Sequence, residues 1–90
     1  MPKIFEYIGY FIYFWLNEQN EPIHVHVSKG KPTNNSTKIW ILKDGIELAD
    51  NKSNIKSNDL RKILVFINNN RQFIIEKWYE YFEYIKYYKK

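Results

Sequence analysis

Two histidines alternate with valine in the segment Glu21-Pro22-Ile23-His24-Val25-His26-Val27. In an extended strand, side chains two positions apart share a face, which sets these imidazoles roughly 6.5 to 7 Å apart. Two imidazoles at that separation can share a metal ion or act as acid and base on a phosphodiester. A hydrolytic metal site also wants a third protein ligand and an open position. Glu18 and Glu21, in the turn before the strand, are the nearest carboxylates in sequence. The catalytic alternative is therefore His24, His26 and Glu21, and the metal alternative is built on His24 and His26. Against it stands a structural role, in which both rings pack and hydrogen-bond so as to fix the turn to the strand. The sequence favours that role, so neither a metal nor a cofactor is expected.

Other reaction chemistry finds no residues to carry it. The chain has no cysteine, hence no thiolate nucleophile, thiolate metal cage or disulfide framework. Its Ser and Thr hydroxyls lie mainly in polar connectors, with no elbow-type glycine pattern around them. Three glycines, Gly9, Gly30 and Gly45, cannot spell a dinucleotide fingerprint or a phosphate-cradling loop.

Contact chemistry is better supplied. Aromatic residues make up 19% of the chain, more ring area than a domain of 90 residues needs for its core, so some rings should be exposed. Trp40 and Trp78 sit among apolar neighbours and are expected in the core, whereas Trp15 borders a polar turn and suits a partner surface. Tyr84, Lys86, Tyr87, Tyr88, Lys89 and Lys90 combine rings with cations, a pairing that meets single-stranded nucleic acid or an acidic protein groove. Lys29 and Lys31, around Gly30, are further candidate contacts. The net charge of +4 would ordinarily raise the prospect of a nucleic-acid partner. Lys far outnumbers Arg here, alongside abundant Ile and Asn, a bias that an A/T-rich genome imposes whatever the function.

The elements that position these residues can be read from periodicity. Phe5 to Trp15 is dense in aromatic and β-branched residues and predicts one bent strand or two short ones, with Gly9 at the bend. Alternation places Tyr7, Phe11, Tyr13 and Trp15 on one face and Ile8, Tyr10, Ile12, Phe14 and Leu16 on the other. Asn17 to Pro22 is a turn, Ile23 to Ser28 a strand, and Gly30 to Ser36 an exposed loop. Thr37 to Lys43 should fold back on Ile46 to Ala49 through Asp44-Gly45. Ser57 is a plausible N-cap, with Asp59 near the positive end of the helix that follows. Leu60, Ile63, Leu64 and Ile67 keep helical spacing over about 58–69. Asn68-Asn69-Asn70 marks a joint, and Ile74, Ile75, Trp78, Tyr81, Phe82 and Ile85 renew the stripe over about 71–88. The expected fold is α+β: an antiparallel meander of four or five strands over about 3–50, with two C-terminal helices on one sheet face. One domain spans 1–90, with 84–90 as an aromatic and basic tail. The longest apolar stretch, Ile8 to Leu16, falls short of the roughly 20 residues of a membrane helix. Lys3 alone precedes it with positive charge and no small-residue cleavage site follows, so a secretory signal is not expected. A reducing cytoplasm fits the missing cysteines.

The order of segments resembles the bacterial domain-of-unknown-function family 4160. The matching pieces are Tyr10-Phe11-Ile12-Tyr13-Phe14, Asn17-Glu18-Gln19-Asn20-Glu21-Pro22, His24-Val25-His26-Val27, Lys38-Ile39-Trp40, Glu47-Leu48-Ala49, Asp59-Leu60-Arg61 and Glu76-Lys77-Trp78-Tyr79-Glu80-Tyr81-Phe82. They cover roughly residues 3 to 83. Family members usually carry two prolines before the first His, where this chain has Ile23 in second place, and the extension after Phe82 looks like an addition. The family has no established activity and looks like one half of two-gene modules of the toxin–antitoxin kind. The resemblance thus implies a stoichiometric binder more than a metabolic enzyme. The expected function is a non-enzymatic binding or inhibitory protein of a bacterial or phage conflict system. Its expected partner is a protein: a toxin, an antitoxin or a nucleic-acid-processing nuclease, including an RNA-guided CRISPR nuclease. The alternatives are a small ribonuclease-like toxin using the His pair, or direct binding of RNA or a ribonucleoprotein through the tail. No membrane partner is expected, and oligomeric state is left open.

Overall fold

A computed structural model describes residues 2–18 and 20–88. Five strands, β1 (Lys3–Tyr7), β2 (Tyr10–Tyr13), β3 (His24–Lys29), β4 (Thr37–Ile41) and β5 (Ile46–Asn51), precede α1 (Ser57–Asn69) and α2 (Arg71–Phe82). The sheet is antiparallel throughout, in the order β1-β2-β3-β4-β5. The α+β meander with two C-terminal helices on it is the expected fold.

The aromatic N-terminal segment forms two short strands. Ile8 and Gly9 make the connection at φ +42° and +86°, the two positive values of a tight hairpin turn whose twist matches its strands. Tyr7 then pairs with Tyr10 and Phe5 with Ile12, so these four share a face. This corrects the expected alternation: Tyr7 lies on the helix side, stacked on Phe66 with ring centroids 4.1 Å apart. A two-residue turn reverses the chain, and counting by twos fails across it. Ile8 and Leu16, expected on the same face as Tyr10, Ile12 and Phe14, are instead exposed on their turns.

The core lies between sheet and helices. Ile12, Phe14, Ile23, Val25, Val27, Ile39 and Ile41 from the sheet side are buried against Ile63, Ile67, Ile74 and Trp78. Leu60, Leu64, Ile75, Phe82 and Ile85 pack around them, whereas Tyr81, expected in this stripe, is exposed. Asn70 separates the helices as the Asn run predicts, its side-chain amide donating to the Phe66 carbonyl at 2.7 Å.

Three boundaries differ from expectation. Ser57 is the first residue of α1, not its cap; Lys56 precedes it in extended conformation, with no side-chain cap bond. Asp59, in the first turn, instead accepts the Tyr10 hydroxyl at 2.9 Å, tying α1 to β2. The second helix stops at Phe82, not near 88, because Glu83 adopts the left-handed region at φ +55°. Residues 84–88 then fold back over the sheet. The Trp78 indole donates to the Tyr84 carbonyl, Ile23 N–H donates to the Lys86 carbonyl at 2.8 Å, and Tyr88 stacks on Trp40 at 4.5 Å. No described helix is long and apolar enough to cross a membrane.

Candidate functional site

Strand alternation sends Val25 and Val27 into the core, leaving His26 on the opposite face of β3, where it pairs with Tyr13 of β2 and Lys38 of β4. His24 pairs with Trp40. Both imidazoles are buried, His24 completely, and their centroids lie 4.9 Å apart, edge to face. That is closer than strand geometry alone sets them. The rings lean together because each reaches for one carboxylate.

That carboxylate is Glu18. A 3-10 turn over Leu16–Glu18 carries it back over β3, and Trp15 N–H donates to its Oε1 at 3.2 Å. His24 Nε2 lies 2.9 Å from Oε1, and His26 Nε2 lies 3.0 Å from Oε1 and 2.9 Å from Oε2. The other ring nitrogens are also engaged: His24 Nδ1–H donates to the Pro22 carbonyl at 2.8 Å, and His26 Nδ1 meets the Ser36 hydroxyl at 2.8 Å. Burial alone would push the Glu18 carboxyl up. Hydrogen bonds from His24 and His26, together with their charge, outweigh it and hold the carboxyl far below the usual carboxylate range. One ligand atom from each of Glu18, His24 and His26 lies within 4.8 Å of the other two, so this trio can hold a metal ion.

Glu18 and His26 form part of the wall of an open cleft of about 720 Å³, with Trp15, Leu16 and Asn34 among the other residues around it. Trp15, singled out as a contact, stands half-buried there, edge-on to Tyr13 at 5.3 Å. Glu21 also lines the cleft, but its carboxylate pairs with Lys38 at 2.7 Å. The sequence reading thus places both histidines together and offers Glu18 and Glu21 as nearby carboxylates, with Glu21 in the catalytic alternative; Glu18 is the one that holds the rings. A His-only acid–base pair fits this geometry poorly: all four ring nitrogens face protein atoms, and His24 is out of reach of substrate.

The remaining contact candidates are dispersed. Lys29 and Lys31 are exposed at the end of β3 and in the loop after it. Tyr84 and Lys86 are exposed, Tyr87 is half-buried against the core, and Tyr88 is engaged by Trp40. Lys89 and Lys90 lie outside the described residues. The sequence reading missed Phe73, Lys77 and Tyr81, which follow one another at four-residue spacing on α2, with the Lys77 ammonium 5.7 Å from the Phe73 ring centre. Their spacing is visible in the sequence, but the apolar stripe of Ile74, Trp78 and Ile85 assigns Tyr81 to the core.

A family model described as Domain of unknown function (DUF4160) matches residues 9–79. The chain belongs to this family. The matched span of this DUF4160 protein holds β2 to β5, the Glu18–His24–His26 trio, α1 and most of α2. Comparison with curated proteins and with solved structures gave no match.

Proposed function

We propose that this protein works by occupying a partner protein through the outer face of α2 and the segment behind it, without transforming a substrate. The carrying observation is the exposure of Phe73, Tyr81 and Tyr84, at 43%, 51% and 57%. Phe73 and Tyr81 stand eight residues apart on one helix stripe, about 12 Å along its axis, with Lys77 between them. Rings presented in this way supply anchoring area at small entropic cost. Glu76, Glu80 and Glu83 are exposed on the same helix and its cap. Such carboxylates repel a phosphate backbone, which favours a protein over RNA. The tail reading of an RNA contact is weakened further because 84–88 is folded against the sheet.

The family resemblance directs the choice of partner: a toxin or a nucleic-acid-processing nuclease of a bacterial or phage conflict system, met in the cytoplasm. A photoreactive phenylalanine at position 81 tests this in the host. The expected result is crosslinking to one protein species, insensitive to ribonuclease. Reconstitution of that complex from purified components should then show binding weakened at least about tenfold by Tyr81→Glu with Tyr84→Glu. Crosslinks to RNA alone, or binding untouched by the double substitution, would overturn the reading.

A further inference from the structure

We propose that Glu18, His24 and His26 form a binding site for one divalent transition-metal ion of the zinc class, approached from the cleft. Two neutral imidazoles and one carboxylate are the ligand set that zinc and its neighbours prefer to the oxygen-only sets of magnesium or calcium. A tetrahedral ion at ordinary bond lengths keeps neighbouring ligand atoms roughly 3.3 Å apart. Here the Glu18 oxygens lie 2.9 to 3.0 Å from the two Nε2 atoms, and one ligand atom from each residue lies within 4.8 Å of the others, so the three donors converge on one ion-sized space.

The surroundings of each ring agree with this role. A carbonyl oxygen can only accept, so the 2.8 Å contact to Pro22 places a hydrogen on His24 Nδ1. Nε2 is thus the nitrogen left to face Glu18, and a divalent ion takes the place of the hydrogen that bridges the two in the metal-free protein. His26 Nδ1 is held in turn by Ser36. A carbonyl or hydroxyl fixing the far nitrogen is the outer-shell arrangement that orients metal-binding imidazoles. His24 closes the back of the site, completely buried, while Glu18 and His26 keep 14% and 10% of their side chains accessible on the cleft side. Three protein ligands and one accessible side leave a coordination position for water or an oxygen ligand.

The full chain, stripped with chelator and dialysed, is titrated with ZnCl2, CoCl2 and MgCl2 and read by native mass spectrometry and visible absorption. The expected result is one Zn2+ per chain, a tetrahedral Co2+ spectrum, no Mg2+ uptake, and a Tm that rises with Zn2+. Glu18→Gln keeps a carbonyl oxygen that can accept from the His24 and His26 Nε2–H groups and should fold, with Zn2+ affinity reduced about 100-fold or more. His26→Asn is the second variant, and near-UV circular dichroism checks that each is folded. Failure of the stripped wild type to take up Zn2+ overturns the proposal. So does uptake unchanged in both folded variants, which would mean that the ion sits elsewhere.

Discussion

Glu18 gathers in one side chain what holds the second face of the sheet together. Without it, His24 and His26 keep their burial and lose their shared partner, and orphaning members of a buried charged cluster costs about 3 kcal/mol or more. Glu18→Ala should therefore lower unfolding free energy by about that amount, read by urea denaturation. The pH dependence carries a definite sign. The folded carboxyl is held below its unfolded value, so its contribution is complete above the ordinary carboxylate pKa of about 4.3 and fades as pH falls. Metal-free wild type should lose stability on acidification below about pH 4 more steeply than Glu18→Gln. Parallel acid profiles for the two would contradict the ionised pair. A second residue-scale expectation concerns Ile8, a β-branched residue at φ +42°. Replacing it with Asn or Gly, which tolerate that region, should stabilise the protein by about 0.5–1 kcal/mol in thermal melts.

At the scale of elements, the contact least visible from the sequence is made by Arg71. From the start of α2 its guanidinium donates to the carbonyls of Gly45 at 2.9 Å and Lys43 at 2.7 Å, and also to Leu42. These carbonyls belong to the β4–β5 turn, where that of Gly45 also accepts the Leu42 N–H at 2.8 Å, so the helix layer is anchored to the hairpin. Arg71→Ala should cost about 1–3 kcal/mol, and Arg71→Lys should recover only part of it, because a single ammonium cannot reproduce the fork. Periodicity made the strands, the helices and the convergence of His24 with His26 legible, because burial enforces a period of two or of 3.6. It could not choose Glu18 over Glu21, since the direction of a carboxylate in a turn depends on the turn's own geometry, here a 3-10 turn. It could not end α2 at Phe82 either, because Glu83 is an ordinary helix residue by type and its left-handed conformation is set by the fold-back of 84–88. Arg71 escaped for the same reason: its partners are backbone carbonyls, which carry no residue signature.

The two faces proposed above to bind make different demands on the whole molecule. One lies on the outside of α2, where rings meet solvent. The other is the Glu18 cleft, behind which the imidazoles are locked. Substitutions on the first should spare folding: Tyr81→Glu and Tyr84→Glu are each expected to shift stability by no more than about 1 kcal/mol while weakening the partner complex. Loss of binding accompanied by global unfolding would show that these rings serve the fold. The strand order has a consequence for how such a molecule comes into being. Every strand hydrogen-bonds to its neighbour along the chain, so each pairing closes a short loop and no distant segments must search for one another. Assembly can start at any of the four neighbouring pairs and zip across the sheet, which makes locally nucleated pairing the kinetic character of this topology.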